Sequence, residues 1–218
     1  MRIIAGQRRG HKIDGPRASA KTRPTSDLVR ESVFNILGDL VVGRIVFDVF
    51  AGTGALGLEA LSRGAQRAVF IENDRDCVSL IIRNVATLRY EDRASVKLVD
   101  AYRWARTFEP AGSSPLVVLI DPPYTHYERR QKMLNQMIAQ LVEKMPAESV
   151  VVLEAGRAPD EQMLADLDRW DIRRYGSTYV AVRLVAERPA DAGAVLVDGA
   201  GASQVDQGGS QPEVDLDD

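Results

Sequence analysis

Asp121-Pro122-Pro123-Tyr124 puts a carboxylate, two residues without backbone donors and an aromatic face into one short stretch of chain. The prolines stiffen the turn and remove two N–H groups. Carboxylate and carbonyl oxygens are left facing outward as acceptors, the polarity needed to hold an amino group of a planar base, and Tyr124 offers that base a stacking face. An isolated Asp-Pro-Pro reads as a capped, proline-rich loop. A second segment, Val46 to Gly57, changes its weight. There an apolar run carries Asp48 into Phe50-Ala51-Gly52-Thr53-Gly54, with Gly57 completing a Gly-x-Gly-x-x-Gly pattern and Glu72 ending the next apolar run. Small residues at such a turn let a nucleotide cofactor approach the backbone, and an acid at the next strand end takes ribose hydroxyls. NAD and S-adenosylmethionine both suit that arrangement. Asp48 tilts the choice to S-adenosylmethionine, because a carboxylate there repels a pyrophosphate and attracts a cationic amino-acid ligand. Asp48 also reads as an acceptor for the turn's own amides. Asp100-Ala101 follow the third strand, where an adenine ring is expected, and Asp100 serves nearly as well as a helix cap.

The elements that must position these residues alternate. Strands are expected at Ile45 to Phe50, Ala68 to Glu72, Ser95 to Val99, Leu116 to Ile120, Val150 to Glu154, Asp171 to Tyr175 and Thr178 to Leu184. Helices are expected at about Leu56 to Arg63, Asp76 to Leu88, Tyr102 to Phe108, Glu128 to Glu143 and Glu161 to Leu167. Ahead of them, Thr25-Ser26-Asp27 caps a helix with apolar positions Leu28, Val33, Phe34, Ile36 and Leu37, which Gly38 ends. The alternation predicts an α/β fold: a mostly parallel sheet with helices on both faces and an antiparallel hairpin turning at Gly176-Ser177. Ligands then sit at the C-terminal ends of the strands. Cys77 and Trp104 read as helix packing, and Trp170 as an anchor at the sheet edge.

Asp-x-Phe-Ala-Gly-Thr-Gly at 48 to 54 together with Asp-Pro-Pro-Tyr at 121 to 124 resembles the class I amino-methyltransferases. A narrower match adds Arg2-Ile3-Ile4-Ala5-Gly6, Arg23-Pro24-Thr25-Ser26-Asp27, Arg30-Glu31, Phe34-Asn35, the run Ala55 to Ala65 and Tyr175-Gly176-Ser177-Thr178. On these residues the chain is similar to the RsmD family of 16S ribosomal RNA guanine-N2 methyltransferases, from residue 2 to about 185. The resemblance implies a Rossmann-like class I methyltransferase fold with a seven-stranded sheet, S-adenosylmethionine as cofactor and 16S rRNA, in a small-subunit ribosomal particle, as partner. It implies that Asp48, Phe50, Ala51, Gly52, Thr53, Gly54, Glu72, Asp100 and Ala101 frame the cofactor. Asp121, the Pro122 carbonyl and Tyr124 would hold the target guanine, with direct in-line methyl transfer and no covalent intermediate.

Composition bounds the rest. The 218 residues, 45% hydrophobic and 27% charged, suit one domain. One cysteine and two histidines exclude a cysteine zinc cage and give no metal site. No long apolar run or secretory signal is evident, so a soluble, cytoplasmic monomer with no membrane partner is expected. The net charge of −3 hides an asymmetry. Residues 1 to 30 hold eight Lys/Arg against two acids, and residues 186 to 218 hold eight acids against Arg188. A basic extension over 1–25, a methyltransferase domain over 26–185 and an acidic disordered tail over 186–218 follow from this. Arg2, Arg8, Arg9, Lys12, Arg23 and Arg30 are the expected phosphate contacts, whereas Arg17 and Lys21 also read as a solvated tail. Three other functions compete. A DNA adenine or cytosine amino-methyltransferase needs a target-recognition region for which the chain has little room. An NAD-dependent oxidoreductase leaves Asp-Pro-Pro-Tyr without a role, and a non-catalytic RNA-binding assembly factor leaves the whole site without one.

Overall fold

Seven strands form one sheet in the order β3-β2-β1-β4-β5-β7-β6 in a computed structural model that describes residues 1–15 and 27–186. The strands are β1 (Ile45–Val49), β2 (Arg67–Glu72), β3 (Ala94–Leu98), β4 (Leu116–Ile120), β5 (Val150–Ala155), β6 (Asp171–Tyr175) and β7 (Thr178–Leu184). Strands β1 to β5 pair in parallel, and β7 runs antiparallel between β5 and the edge strand β6. The helices are α1 (Asp27–Leu37), α2 (Ala55–Ser62), α3 (Arg75–Leu88), α4 (Ala101–Thr107), α5 (Tyr124–Arg129) and α6 (Gln131–Lys144).

The two-residue alternation of the strands sorts the core into two layers. Val46, Phe70, Val117, Leu119, Val152 and Val180 face α1, α2 and α3, where Phe34, Leu58, Leu61 and Ile81 meet them. Val49, Val69, Val118, Ile120, Val151 and Leu153 face α4 and α6, where Trp104, Leu134, Ile138 and Leu141 meet them. Both faces of β4 are thus covered, which is why its five residues are uniformly apolar. Trp104 packs between Phe47 and Phe108, and Trp170 is buried beside β6, its indole N–H donating to the Ala165 carbonyl.

Three expectations need correcting. Residues 161–167 do not form a helix: the Asp160 carboxylate and carbonyl take the amides of Met163 and Leu164 into a single turn, and Asp166 then enters the left-handed region at φ 52°. The helix expected over Glu128 to Glu143 is two, because the Pro122-Pro123 turn starts α5 at Tyr124 and Arg130 breaks it at φ −132°. On α1, Leu28 is 64% exposed, while Arg30 joins Val33, Phe34 and Leu37 on the buried face. The N-terminal residues hold more structure than a strand and loop. A bridge pairs Arg2 with Lys12, a 3-10 turn spans Gly6–Arg8, and Ile3 and Ile13 are buried in the first core layer. The Thr25-Ser26 cap, and the tail beyond Ala186, lie outside the described residues.

Candidate active site

The sheet order reverses between β1 and β4, and the two motif segments leave the sheet there side by side. Val49 is in register with Ile120, and the Asp121 amide donates to the Val49 carbonyl at 3.3 Å. A crevice at such a reversal is where open α/β sheets bind ligands.

On the β1 side, Phe50 and Ala51 both donate to the Ile71 carbonyl, at 3.1 Å each, which ties the turn to β2. The chain then reverses through left-handed Gly52 (φ 54°) and Gly54 (φ 77°), the latter capping α2. A Cβ at Gly52 would meet nothing closer than a carbonyl at 4.0 Å, so the turn presents open backbone. At Gly57 the reason for glycine differs: a Cβ would lie 2.4 Å from the Phe70 ring, so α2 rests directly on β2. Glu72 steadies the turn by accepting the amides of Gly52 at 2.7 Å and of Asn73 and Asp74 at 2.8 and 2.9 Å. Asp100 caps α4 through the Arg103 amide, with Ala101 buried behind it. Thr53 is held at its carbonyl by buried Asn84, whose side chain also bonds both backbone groups of Asp14.

Asp48 is buried, and its Oδ2 accepts the Gly57 amide at 2.8 Å. Desolvation pushes its pKa from 3.8 up to about 8 against the lowering effect of that hydrogen bond, and the nearby carboxylates of Asp121 and Glu72 add to the rise. Folding therefore favours the protonated form. The resulting stabilisation is fully present below pH 3.8 and is lost as pH rises through about 8. Thermal melts across this range should show the wild type losing stability relative to Asp48→Asn, at up to about 1.4 kcal/mol per pH unit for one proton. A difference independent of pH would refute the assignment.

On the β4 side, Pro122 is buried and Tyr124 is 47% exposed. The Tyr124 ring lies against Gly156 just beyond β5, where a Cβ would come within 2.2 Å of its Cε1. The Tyr127 hydroxyl donates to the Glu154 carbonyl, and its burial pushes its pKa upward. Opposite stands a ring cluster of Phe50, Tyr102 and His126, with centroids 5.4–5.7 Å apart and a Tyr102 Oη to His126 Nδ1 contact of 2.9 Å. Burial, assisted by Arg130, lowers the His126 pKa and keeps the ring neutral, while burial raises Tyr102 to about 12. Glu154, Gly156, Tyr102 and His126 were not anticipated from sequence. The signal for the first two was available, because the C-terminal end of the strand next to β4 must border the same crevice.

The basic residues divide. Arg2, Arg9 and Lys12 are exposed, and Arg8 is half-buried with its guanidinium 5.8 Å from the Tyr90 ring centroid. Arg30 cannot touch a phosphate in this conformation, which corrects the sequence expectation. It is fully buried, donates to the Arg2 carbonyl at 2.7 Å and to Asp27 at 2.9 Å, and lies 3.9 Å from Glu59. Arg23 lies outside the described residues.

Known proteins share this architecture. The family described as Conserved hypothetical protein 95 matches residues 1–184. A Bacillus subtilis protein named Putative rRNA methyltransferase YlbH is 32% identical over 183 residues, 84% of this chain and 97% of that one. Ribosomal RNA small subunit methyltransferase D of Escherichia coli is 43% identical over 125 residues, 57% of this chain and 60% of that one. A solved structure of the putative methyltransferase yhhF from Escherichia coli superposes with a TM-score of 0.67 at 32% identity, covering 85% of this chain and 98% of that one. With its glycine turn and its Asp-Pro-Pro-Tyr loop meeting at the reversal of a seven-stranded sheet, the chain belongs to this family, as a class I methyltransferase of the RsmD type.

Proposed function

We propose that the protein transfers the methyl group of S-adenosylmethionine to the N2 amine of a guanine in 16S ribosomal RNA, acting in the cytoplasm as a monomer on a small-subunit particle. The observation that carries this reading is the contact between the two motif segments, Asp121 bonded to Val49 at the sheet reversal. It sets the acceptor loop beside the open glycine turn. The relatives named for ribosomal RNA methylation support the substrate class.

The residues present fit the cofactor. The open backbone at Gly52 and Gly54 suits its amino-acid part, Glu72 at the end of β2 suits ribose hydroxyls, and Asp100-Ala101 border the adenine position. When bound, S-adenosylmethionine supplies a sulfonium methyl whose S–C bond breaks, leaving its electron pair on sulfur, as the N–C bond forms. The protein's part is positioning and electrostatics. Asp121 and the Pro122 carbonyl accept the two N–H groups of the amine and draw its lone pair out of conjugation with the ring. Tyr124 stacks on the base, and the proton released passes to the Asp121 carboxylate or to water. A base in a helix must be flipped out to enter, so an unpaired guanine is the expected target. Arg2, Arg8, Arg9 and Lys12 lie along the N-terminal hairpin as candidate phosphate contacts, which makes binding salt-dependent.

The test is transfer of radiolabelled methyl from S-adenosylmethionine to small-subunit particles, stripped 16S RNA and duplex DNA, with the labelled nucleoside identified by mass spectrometry. N2-methylguanosine from a ribosomal substrate is the expected product. Label in adenine or cytosine of DNA would replace this reading with a DNA amino-methyltransferase.

A further inference from the structure

The Asp-Pro-Pro-Tyr loop by itself accepts any exocyclic amine, whether of guanine, adenine or cytosine. We infer that Glu154 makes the choice of guanine, by accepting the N1–H that lies beside the reacting amine on the base's Watson–Crick edge; this rests on guanine N2 being the methylated group.

The sheet puts Glu154 in place. Ile120 is paired with Leu153 in the parallel β4–β5 ladder, so the next residue of each strand, Asp121 and Glu154, are neighbours across it. Alternation gives both the same face. Val117 and Leu119 on β4, and Val150 and Val152 on β5, pack into the first core layer, and Asp121 and Glu154 continue those two rows. The two carboxylates therefore leave the sheet side by side at its ligand-binding end. Both raise the pKa of Tyr127, placing them within electrostatic reach of one phenol. The Tyr124 ring packs on Gly156, two residues beyond Glu154, so the stacking face and this carboxylate border the same space.

Burial makes the arrangement informative. Glu154 is only 8% exposed, and a carboxylate desolvated next to another of like charge is destabilising. A base edge with two adjacent donors offsets that cost. Guanine presents N1–H next to its N2 amine, and one carboxylate can serve each. Adenine and cytosine present an amine next to a bare ring nitrogen, an acceptor that would face the Glu154 carboxylate lone pair to lone pair. A site built around a substrate N–H rejects analogues that lack it.

The probe that isolates this contact is 2-aminopurine, which keeps the exocyclic amine at the same carbon and replaces N1–H by an acceptor nitrogen. Small-subunit RNA would be ligated with guanine or 2-aminopurine at the position the wild-type enzyme labels, and kcat/KM compared for the wild type and Glu154→Gln. The wild type should prefer guanine by about 100-fold or more. Glu154→Gln, whose amide can donate to the acceptor nitrogen, should narrow that preference by about tenfold or more while binding S-adenosylmethionine as the wild type does. An unchanged ratio in Glu154→Gln would overturn the inference. So would a wild type that methylates both bases equally, a measurement that stands even where the variant does not fold. Either result leaves N2-methylguanosine as the product. A wild type that labels adenine or cytosine instead removes the reading on which the inference rests.

Discussion

Asp121→Ala is expected to slow methyl transfer by about 10²–10³-fold in kcat, the usual cost of deleting one group aimed at charge that develops in the transition state. Its carboxylate stands at the end of β4, outside the glycine turn, so affinity for S-adenosylmethionine should change little. The ground-state amine is a weak nucleophile whose partial positive charge grows as the N–C bond forms, so the interaction strengthens along the reaction and its loss falls on kcat more than on KM. Single-turnover transfer together with calorimetric cofactor binding separates the two. A second readout comes from Asp48, whose raised pKa owes part of its rise to Asp121. In the Ala variant the pH window over which Asp48 alters stability should move downward. A variant that transfers at the wild-type rate would remove Asp121 from the reaction.

The parts of this site that were legible in the sequence are those where backbone chemistry dictates residue type. Gly52 and Gly54 are required by positive φ, Gly57 by contact with Phe70, and the prolines by the turn after β4. Strand β4 and the closing hairpin were legible because uniform burial and two-residue alternation leave direct traces. What escaped depends on partners distant in sequence. Arg30 was counted among the basic residues, yet it stands three, four and seven residues before Val33, Phe34 and Leu37, on the apolar stripe of α1. Its spacing announced burial, and its charge obscured it. Glu154 read as the polar end of a strand because its neighbour Asp121 lies 33 positions earlier in the chain, and only the β4–β5 register joins them. Helix α2 is buried on every side, so no stripe distinguishes the role of Glu59. The helix expected over residues 161–167 failed for a local reason: the Asp160 side chain competes for the amides that would have started it.

Glu59→Ala should destabilise the protein by about 3–5 kcal/mol, the range for removing one partner of a buried ion pair. Its carboxylate is fully buried and accepts the amides of Ile4 at 2.8 Å and Ala5 at 3.0 Å, and it pairs with Arg63 at 2.8 Å and with Arg30 at 3.9 Å. Alanine strands two backbone donors and takes the counter-charge from a fully buried guanidinium, leaving Asp27 to Arg30. Melting temperature should fall by on the order of 10 °C. The effect should also be directional. The Ile4 and Ala5 amides moor the N-terminal hairpin to α2, with Ser62 Oγ taking the Arg8 amide, and the close fit of Gly6 against the Ser62 carbonyl tolerates no Cβ. Loss of Glu59 therefore loosens the segment that carries Arg2, Arg9 and Lys12. Hydrogen exchange at residues 3–13 should rise before exchange in β1 and β4 does. RNA affinity should weaken and its salt dependence become shallower, as expected when ordered cations stop contacting phosphates. Uniform destabilisation with unaltered RNA binding would show instead that the hairpin serves the core alone and that the phosphates are held elsewhere.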